Sequence, residues 1–352
     1  MELESVNSSE RLRTLDFLRG WAILGVIGVH CVQGFPSHIR VIDVAFGLGK
    51  FGVQLFFFVS AWTMCYVWNQ RNGETRPVFK FYVRRFFRIA PLFWLAIPTY
   101  LLINGTGPSQ SAPDGVGFRQ VALTAFFLHG FSAGDISSVV PGGWTIAVEM
   151  LFYLLFPLII RSVADRKVVY ICIGFAIWLL NEFWFKDAAT AVLSAHYNDG
   201  VIQEFLYLNF LNQAPIFFIG CYLYFAIRAY MTRTEVGLFV LWLGVGLIVR
   251  YFHHVRGADF LLVTLTLAAF VYAVIKSGLV FKPIEMLGQR SYAIYLIHFL
   301  VIHYLNLIAL GVGPLALVVG FFLTVSISYV LSYFIYILIE KNTQLFVKRV
   351  TS

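Results

Sequence analysis

The chain reads as an all-α, polytopic transmembrane helix bundle. Three observations predict this class. Hydrophobic residues fill 59% of the 352 positions and charged residues only 12%, with a mean hydropathy of +0.79. A soluble domain carries roughly 25% charged residues. Apolar runs recur from residue 15 to residue 339, and most approach the roughly 20 residues that a crossing needs. Finally, the basic residues cluster between those runs, as the positive-inside rule expects. The net charge of +8 is therefore a topology signal, and nucleic acid is rejected as a partner.

The apolar runs cover 15–34, 44–68, 86–103, 144–160, 168–185, 205–227, 235–252, 259–275, 291–310 and 315–339. A shorter run, 119–131, holds His129. It reads as a crossing, or as a re-entrant or interfacial segment. Charge orders these spans. With Arg11 and Arg13 inside, the loop bearing Arg71, Arg76, Lys80, Arg84, Arg85 and Arg88 also falls inside. The basic loop Arg161–Lys167 joins it only if 119–131 does not cross. So do Arg228 with Arg233, Lys276 with Lys282 and Arg290, and Lys341 with Lys348 and Arg349. Arg250, His253, His254 and Arg256 are the exception and fall outside. The expectation is about ten crossings plus one short re-entrant or interfacial segment, with both termini cytoplasmic. Eleven crossings is the other count.

The loops 104–118 and 186–204 are expected to face outward, the first rich in Gly, Pro and Ser. The first twelve residues are polar and carry no cleavable-signal pattern, so the first span is expected to act as its own insertion signal. One membrane-embedded domain over 1–352, with no fused soluble domain, is expected. Cys31, Cys65, Cys172 and Cys221 all lie in apolar runs, without metal-ligand or disulfide spacing. They are expected to be small buried hydrophobes, and no metal site is expected.

Within the first span, Arg19 and His30 lie eleven positions apart. On a helix that separation turns through about 1100°, so both side chains share a face, roughly 16 Å apart along the axis. Ionisable groups inside a membrane are costly and mark pathways or reaction sites. Imidazole exchanges protons near neutral pH, which suits a general base. The bland alternative is a core histidine bonded to a backbone carbonyl. Asp16 and Arg13 lie one turn or more below Arg19 and favour the functional reading.

Three further groups stand out. Arg84, Arg85 and Arg88 enter the third span within about one helical turn. Guanidinium forks match phosphate geometry, so the cluster suits a nucleotide-like phosphorylated donor, or else a topology anchor on lipid headgroups. Pro141-Gly-Gly-Trp144 turns into a helix that carries Glu149 about two turns deep, close to the depth of His30 from the outer face. That carboxylate orients or charge-balances the imidazole, contacts the acceptor, or forms a structural ion pair. Tyr295 and His298 share a face of the 291–310 span, with a structural hydrogen bond and a chemical role both open. No pairing in the sequence nominates a Ser or Cys nucleophile.

In this order the pieces resemble the membrane acyltransferase-3 family, bacterial enzymes that O-acylate extracytoplasmic sugars and related acceptors. The matching residues are Leu15-Asp16-x-x-Arg19-Gly-x-Ala22 with His30, Gly52-Val-x-Leu-Phe-Phe-x-x-Ser60 and Arg84-Arg85-x-x-Arg88-Ile-x-Pro91. They continue through Gly143-Trp-Thr-Ile-x-x-Glu149-x-x-Phe-Tyr153, Ser291-Tyr-x-x-Tyr295-Leu-x-His298 and Ile339-Glu340-Lys341. The resemblance runs from about residue 12 to 342. It departs at Ile146, where leucine is usual, and at Asn342, where the family has proline.

The resemblance implies that His30 is catalytic and that Arg85 and Arg88, helped by Arg84, hold the phosphates of acyl-CoA at the cytoplasmic surface. Acetyl-CoA is the first expectation, as a donor substrate; no permanently bound cofactor is expected. Arg19 would steer or neutralise the donor. His30 would deprotonate an acceptor hydroxyl, with Glu149 orienting it and a transient acyl-His as the alternative. Asp16, Trp144, Tyr295 and His298 complete the candidate set as substrate contacts. The implied partners are acyl-CoA, a saccharide or glycolipid acceptor such as O-antigen lipopolysaccharide or exopolysaccharide, and membrane lipids. The implied place is the bacterial inner membrane. The rival class is a proton-coupled secondary transporter or a flippase for a lipid-linked substrate. Against it, no inverted repeat or paired broken helices are visible. A structural scaffold would leave the Arg19–His30 register unexplained.

Overall fold

The structure is a computed structural model that describes residues 8–109, 112, 114–226, 256–308 and 310–352. The expected 235–252 span, with Arg228, Arg233, Arg250, His253 and His254, lies outside the described residues. Among the described residues the fold is helical; the one β-type pairing is an isolated bridge between Ser109 and Ala112.

Helix α1 spans Ser8–Gly34, α2 Arg40–Gly47 and α3 Gly52–Arg71, with the 3-10 turn Leu48–Phe51 joining the last two. Helix α4 spans Pro77–Asn104 and starts on a proline, which is pre-set for a first turn. Helix α5 is the short Phe118–Ala125, and α6 spans Trp144–Val163. Helix α7, Lys167–Leu180, continues through the π turn Asn181–Phe185 into α8, Lys186–Leu193. Helices α9, Asp199–Leu208, and α10, Phe210–Ala226, follow. Then come α11, Arg256–Ser277, α12, Lys282–Gln289, and α13, Ser291–Leu307. Helix α14, Pro314–Ile335, continues through the π turn Tyr336–Glu340 into α15, Lys341–Thr351.

Seven of the described helical stretches are long and apolar enough to cross a bilayer. The pair Leu262–Ser277 and Lys282–Gln289 would add an eighth if taken as one span, although it bends by 118°. Helix α13 is shorter but apolar. The run 119–131 yields only eight helical residues before a 3-10 turn at His129–Phe131. At about 1.5 Å per residue, that helix is too short to cross. Two other features differ from expectation. Residues 186–193, read as loop, prolong the preceding helix, where Lys186 ion-pairs with Glu182 one turn back. Cys172 is exposed, whereas Cys31, Cys65 and Cys221 are buried. The reason is that α7 packs on one side only, and hydropathy alone does not say which side.

The chain divides into two compact units. The first comprises Met1–Val59 with Ala269–Asn342; the second comprises Ser60–Ala268 with Thr343–Ser352. In the first, α1 is the central helix, touching α2, α12, α13 and α14. Small residues let the backbones approach, as helix association in a membrane requires. A Cβ on Gly288 would stand 1.6 Å from the carbonyl oxygen of Asp16, and one on Gly20 1.9 Å from that of Ile284. Arg13 closes the same crossing with contacts of 3.1 to 3.2 Å to the carboxylate of buried Glu285. Arg290 lies over the rings of Tyr329, Tyr333 and Tyr336, at 5.8, 5.0 and 5.1 Å.

In the second unit α10 is the buried helix, packed on α6, α7 and α9. Phe152 and Phe217 stack at 4.2 Å, and Phe81 stacks on Phe156 at 5.4 Å. A small cluster of Ala133, Ile136, Val201, Ile202, Phe205 and Leu206 covers the start of α6, with Trp144 packed against it.

Candidate active site

In the first unit, one unbroken helix carries Asp16, Arg19 and His30, so the register read from spacing holds. The Arg19 guanidinium is 2.7 Å from the Asp16 carboxylate, three residues back on the same helix. Arg19 thus meets any anion in competition with its own neighbour. His30 is half-buried, and its Nδ1 is 2.9 Å from the side-chain oxygen of Gln33 one turn on. The ring of His298 lies 5.3 Å from that of His30, centre to centre, and Phe299 packs at 4.4 Å from His30 and 4.1 Å from His298. Tyr295 meets the edge of Phe56 at 6.2 Å. His30, Tyr295 and His298, singled out separately in the sequence, therefore form one aromatic cluster that holds two imidazoles.

The second unit holds the other half of the candidate set. Ser60 Oγ donates to Glu149 Oε1 at 2.5 Å, and the Tyr153 hydroxyl donates to the same oxygen. The two hydroxyls are 3.1 Å apart. Arg85 lies over the faces of Tyr153 and Phe81, at 5.8 and 5.9 Å, within cation–π range. Arg84 is ion-paired to Glu74 at 2.7 Å, and Arg88 is the exposed member of the three. The turn that feeds α6 is held by Gly142, at φ +72°, a left-handed conformation suited to glycine. It is held also by His129, whose Nε2–H donates to the Gly143 carbonyl at 3.0 Å. Burial pushes the His129 imidazole below the ordinary histidine range, so it stays neutral at pH 7.

Sequence reasoning gave no role to three participants, although Ser60 and Tyr153 stand among the residues that carry the family resemblance. Tyr153 lies one turn after Glu149, and Gln33 one turn after His30; both spacings were there to be noticed. Ser60 is 89 positions from Glu149, and no helical period links them. The Ser60–Glu149 pair also supplies the hydroxyl–carboxylate pairing that no sequence motif announced.

Glu149→Ala leaves two hydroxyls without their shared acceptor. It is expected to lower stability by about 1–3 kcal/mol, read as a drop in the thermal transition of the purified protein in detergent. Glu149→Gln, which keeps an acceptor, is expected to lose less. Equal transitions for wild type and Glu149→Ala would show that the three-way bond carries no weight.

A family model described as an acyltransferase domain matches residues 12–333. The chain belongs to the acyltransferase-3 family. Curated relatives agree. The acyltransferase MdmB of Streptomyces mycarofaciens is 24% identical over 330 residues, covering 84% of this chain and 80% of that protein. The exopolysaccharide production protein ExoZ of Rhizobium meliloti is 33% identical over 113 residues, covering 32% of this chain and 34% of its own length. The O-acetyltransferase OatA of Staphylococcus aureus is 22% identical over 346 residues, covering 86% of this chain. The match spans about half of OatA, 53% of its length. No solved structure matches the chain. This acyltransferase-3 chain is thus a multi-pass membrane protein and an O-acyltransferase.

Proposed function

We propose that this O-acyltransferase moves an acyl group, acetyl in the first instance, from cytoplasmic acyl-CoA to a hydroxyl of an extracytoplasmic saccharide in the bacterial inner membrane. The observation that carries the reading is His30: a half-buried imidazole on an apolar helix, clustered with a second imidazole and hydrogen-bonded at Nδ1 to an exposed glutamine. The names of ExoZ and OatA support a polysaccharide acceptor and an acetyl group.

In the proposed reaction His30 takes the proton of the acceptor hydroxyl as the oxygen attacks the thioester carbonyl carbon. The C–O bond forms and the C–S bond breaks. The leaving thiolate then takes that proton from His30, giving an ester and free CoA. Arg85 and Arg88 grip the phosphates of the donor, Arg19 steers it, and Glu149 is the carboxylate that balances the transferred proton. Asp16, Trp144, Tyr295 and His298 line the approach of the substrates.

The test is radiolabelled acyl transfer from acetyl-CoA by the purified protein, set beside substrate flux in proteoliposomes. Flux without transfer would overturn the reading and favour a transporter. Mass spectrometry of surface glycans, with and without the protein, would reveal the acceptor as a lost acetyl-sized substituent.

Arg85→Ala and Arg88→Ala are each expected to raise the KM for acyl-CoA about tenfold or more, the weight of a hydrogen bond to a charged group, with kcat little changed. Arg84→Ala is expected to change KM less, because Glu74 already occupies that guanidinium. An unchanged KM accompanied by misfolding would make the cluster a topology anchor instead.

A further inference from the structure

His298 is fully buried on α13. Its Nδ1 lies 2.7 Å from the carbonyl oxygen of Tyr295 and 3.3 Å from that of Ile294. A carbonyl oxygen only accepts, so Nδ1 must carry a proton and donate it. In the neutral ring the lone pair then sits on Nε2. That nitrogen is buried and has no hydrogen-bond partner among the described residues. A buried acceptor left unsatisfied is costly and calls for a reason. The neighbour is His30, its ring tilted 38° to that of His298, with Phe299 packed against both. On its other side, His30 Nδ1 lies 2.9 Å from the side-chain oxygen of exposed Gln33, so this amide must turn over to offer its N–H, or be displaced, for Nδ1 to hold a lone pair. An exposed, flexible amide is a group that an incoming hydroxyl can displace.

We infer that His298 is a positioning residue whose Nε2 lone pair accepts a hydrogen bond from Nε2–H of His30, so that Nδ1 of His30 is the atom that takes the acceptor's proton. The inference rests on the reading of His30 as the general base. Each hydrogen then points one way along a chain: acceptor O–H to His30 Nδ1, His30 Nε2–H to His298 Nε2, His298 Nδ1–H to the Tyr295 carbonyl. The backbone carbonyl at the end sets the direction of the whole chain, because it cannot donate. The two rings touch without a hydrogen bond; catalytic hydrogen bonds commonly tighten only when substrate binds. A neutral imidazole is also a cheaper orienting group than a carboxylate in an apolar surrounding, since no ion needs to be buried. When His30 holds the transferred proton, the positive ring still donates from Nε2 to His298. The proton leaves from Nδ1 to the thiolate, so the pair ends each turnover as it began.

Two amide substitutions separate this role from a merely structural one. In His298→Asn the short amide reaches the place of Nδ1 and keeps the bond to Tyr295, but nothing replaces Nε2. In His298→Gln the longer amide reaches the place of Nε2 and can present its carbonyl oxygen there. Steady-state acyl transfer is expected to show His298→Asn with kcat down about 100-fold and the KM for both substrates within about twofold. His298→Gln is expected to recover to within about tenfold of wild type. A wild-type kcat in His298→Asn would overturn the inference, and so would equal impairment of both variants. Nitrogen-15 NMR of histidine-labelled wild-type protein needs no variant to fold. It is expected to find His30 as the Nε2–H tautomer, and an Nδ1–H tautomer would overturn the inference. Absence of acyl transfer by the wild-type protein would sink the general-base reading instead, while the tautomer would still report on the pair.

Discussion

His30→Ala is expected to lower acyl transfer by about 10²- to 10⁴-fold, the usual contribution of a positioned general base, and to leave membrane insertion intact. The substitution removes the one group on α1 that exchanges a proton near neutral pH. It leaves the apolar surface that drives insertion almost unchanged, because alanine is a strong helix former. The loss should fall on kcat, since the imidazole acts on the proton in flight and not on either substrate at rest. The measurement is single-turnover transfer of labelled acetyl from acetyl-CoA by the purified variant, beside a thermal melt that reports folding. Wild-type turnover by His30→Ala would end the assignment. A lost melt would shift the role of His30 to packing against Phe299 and His298.

Gly288→Ala is expected to be the most damaging single methyl group in the first unit. Its Cβ would stand 1.6 Å from the Asp16 carbonyl oxygen and 2.6 Å from the carbonyl carbon. Those are backbone atoms, so no side-chain rotation relieves the clash, and α12 must withdraw from α1. Overpacking a close contact costs about 1–3 kcal/mol, occasionally more. Here the withdrawal also strains the Arg13–Glu285 contact. Gly20→Ala, at 1.9 Å from the Ile284 carbonyl, should behave alike. Gly47→Ala is the control: that residue is helical, at φ −61°, with nothing within 4 Å of the added carbon. Thermal unfolding of the three variants in one detergent decides the matter. A Gly288→Ala protein that melts with Gly47→Ala would mean that α1 and α12 are farther apart than described. Acyl transfer should fall with stability in the two damaging variants, because α1 carries Asp16, Arg19 and His30 together.

Much of the candidate site was legible along single helices. The eleven-residue interval from Arg19 to His30 survives as one helix, and the Asp16–Arg19 pair follows from an interval of three. Tyr295 and His298 do share a face, yet the bond that matters runs from the His298 ring to the Tyr295 backbone. The arginines illustrate the limit. Their spacing marked three equivalent guanidinium groups, but Glu74 engages Arg84 and the rings of Phe81 and Tyr153 engage Arg85. Glu149 was read as a partner for an imidazole, and its hydrogen bonds run to Ser60 and Tyr153. Glu285, which holds Arg13 across 272 positions, drew no notice at all.

The sequence by itself determined that the chain is helical, that it lives in a bilayer, and which residues ride on which helix. Each of these depends on local composition and on the 3.6-residue period, because leaving water and satisfying the backbone are settled within one segment. Only the tertiary structure decided who pairs with whom: His30 with His298, Ser60 with Glu149, Gly20 and Gly288 with opposing backbone. Lipid is as apolar as leucine, so hydrophobicity drives a helix into the membrane without choosing its neighbour. That choice falls to close packing and hydrogen bonds between residues far apart in the chain.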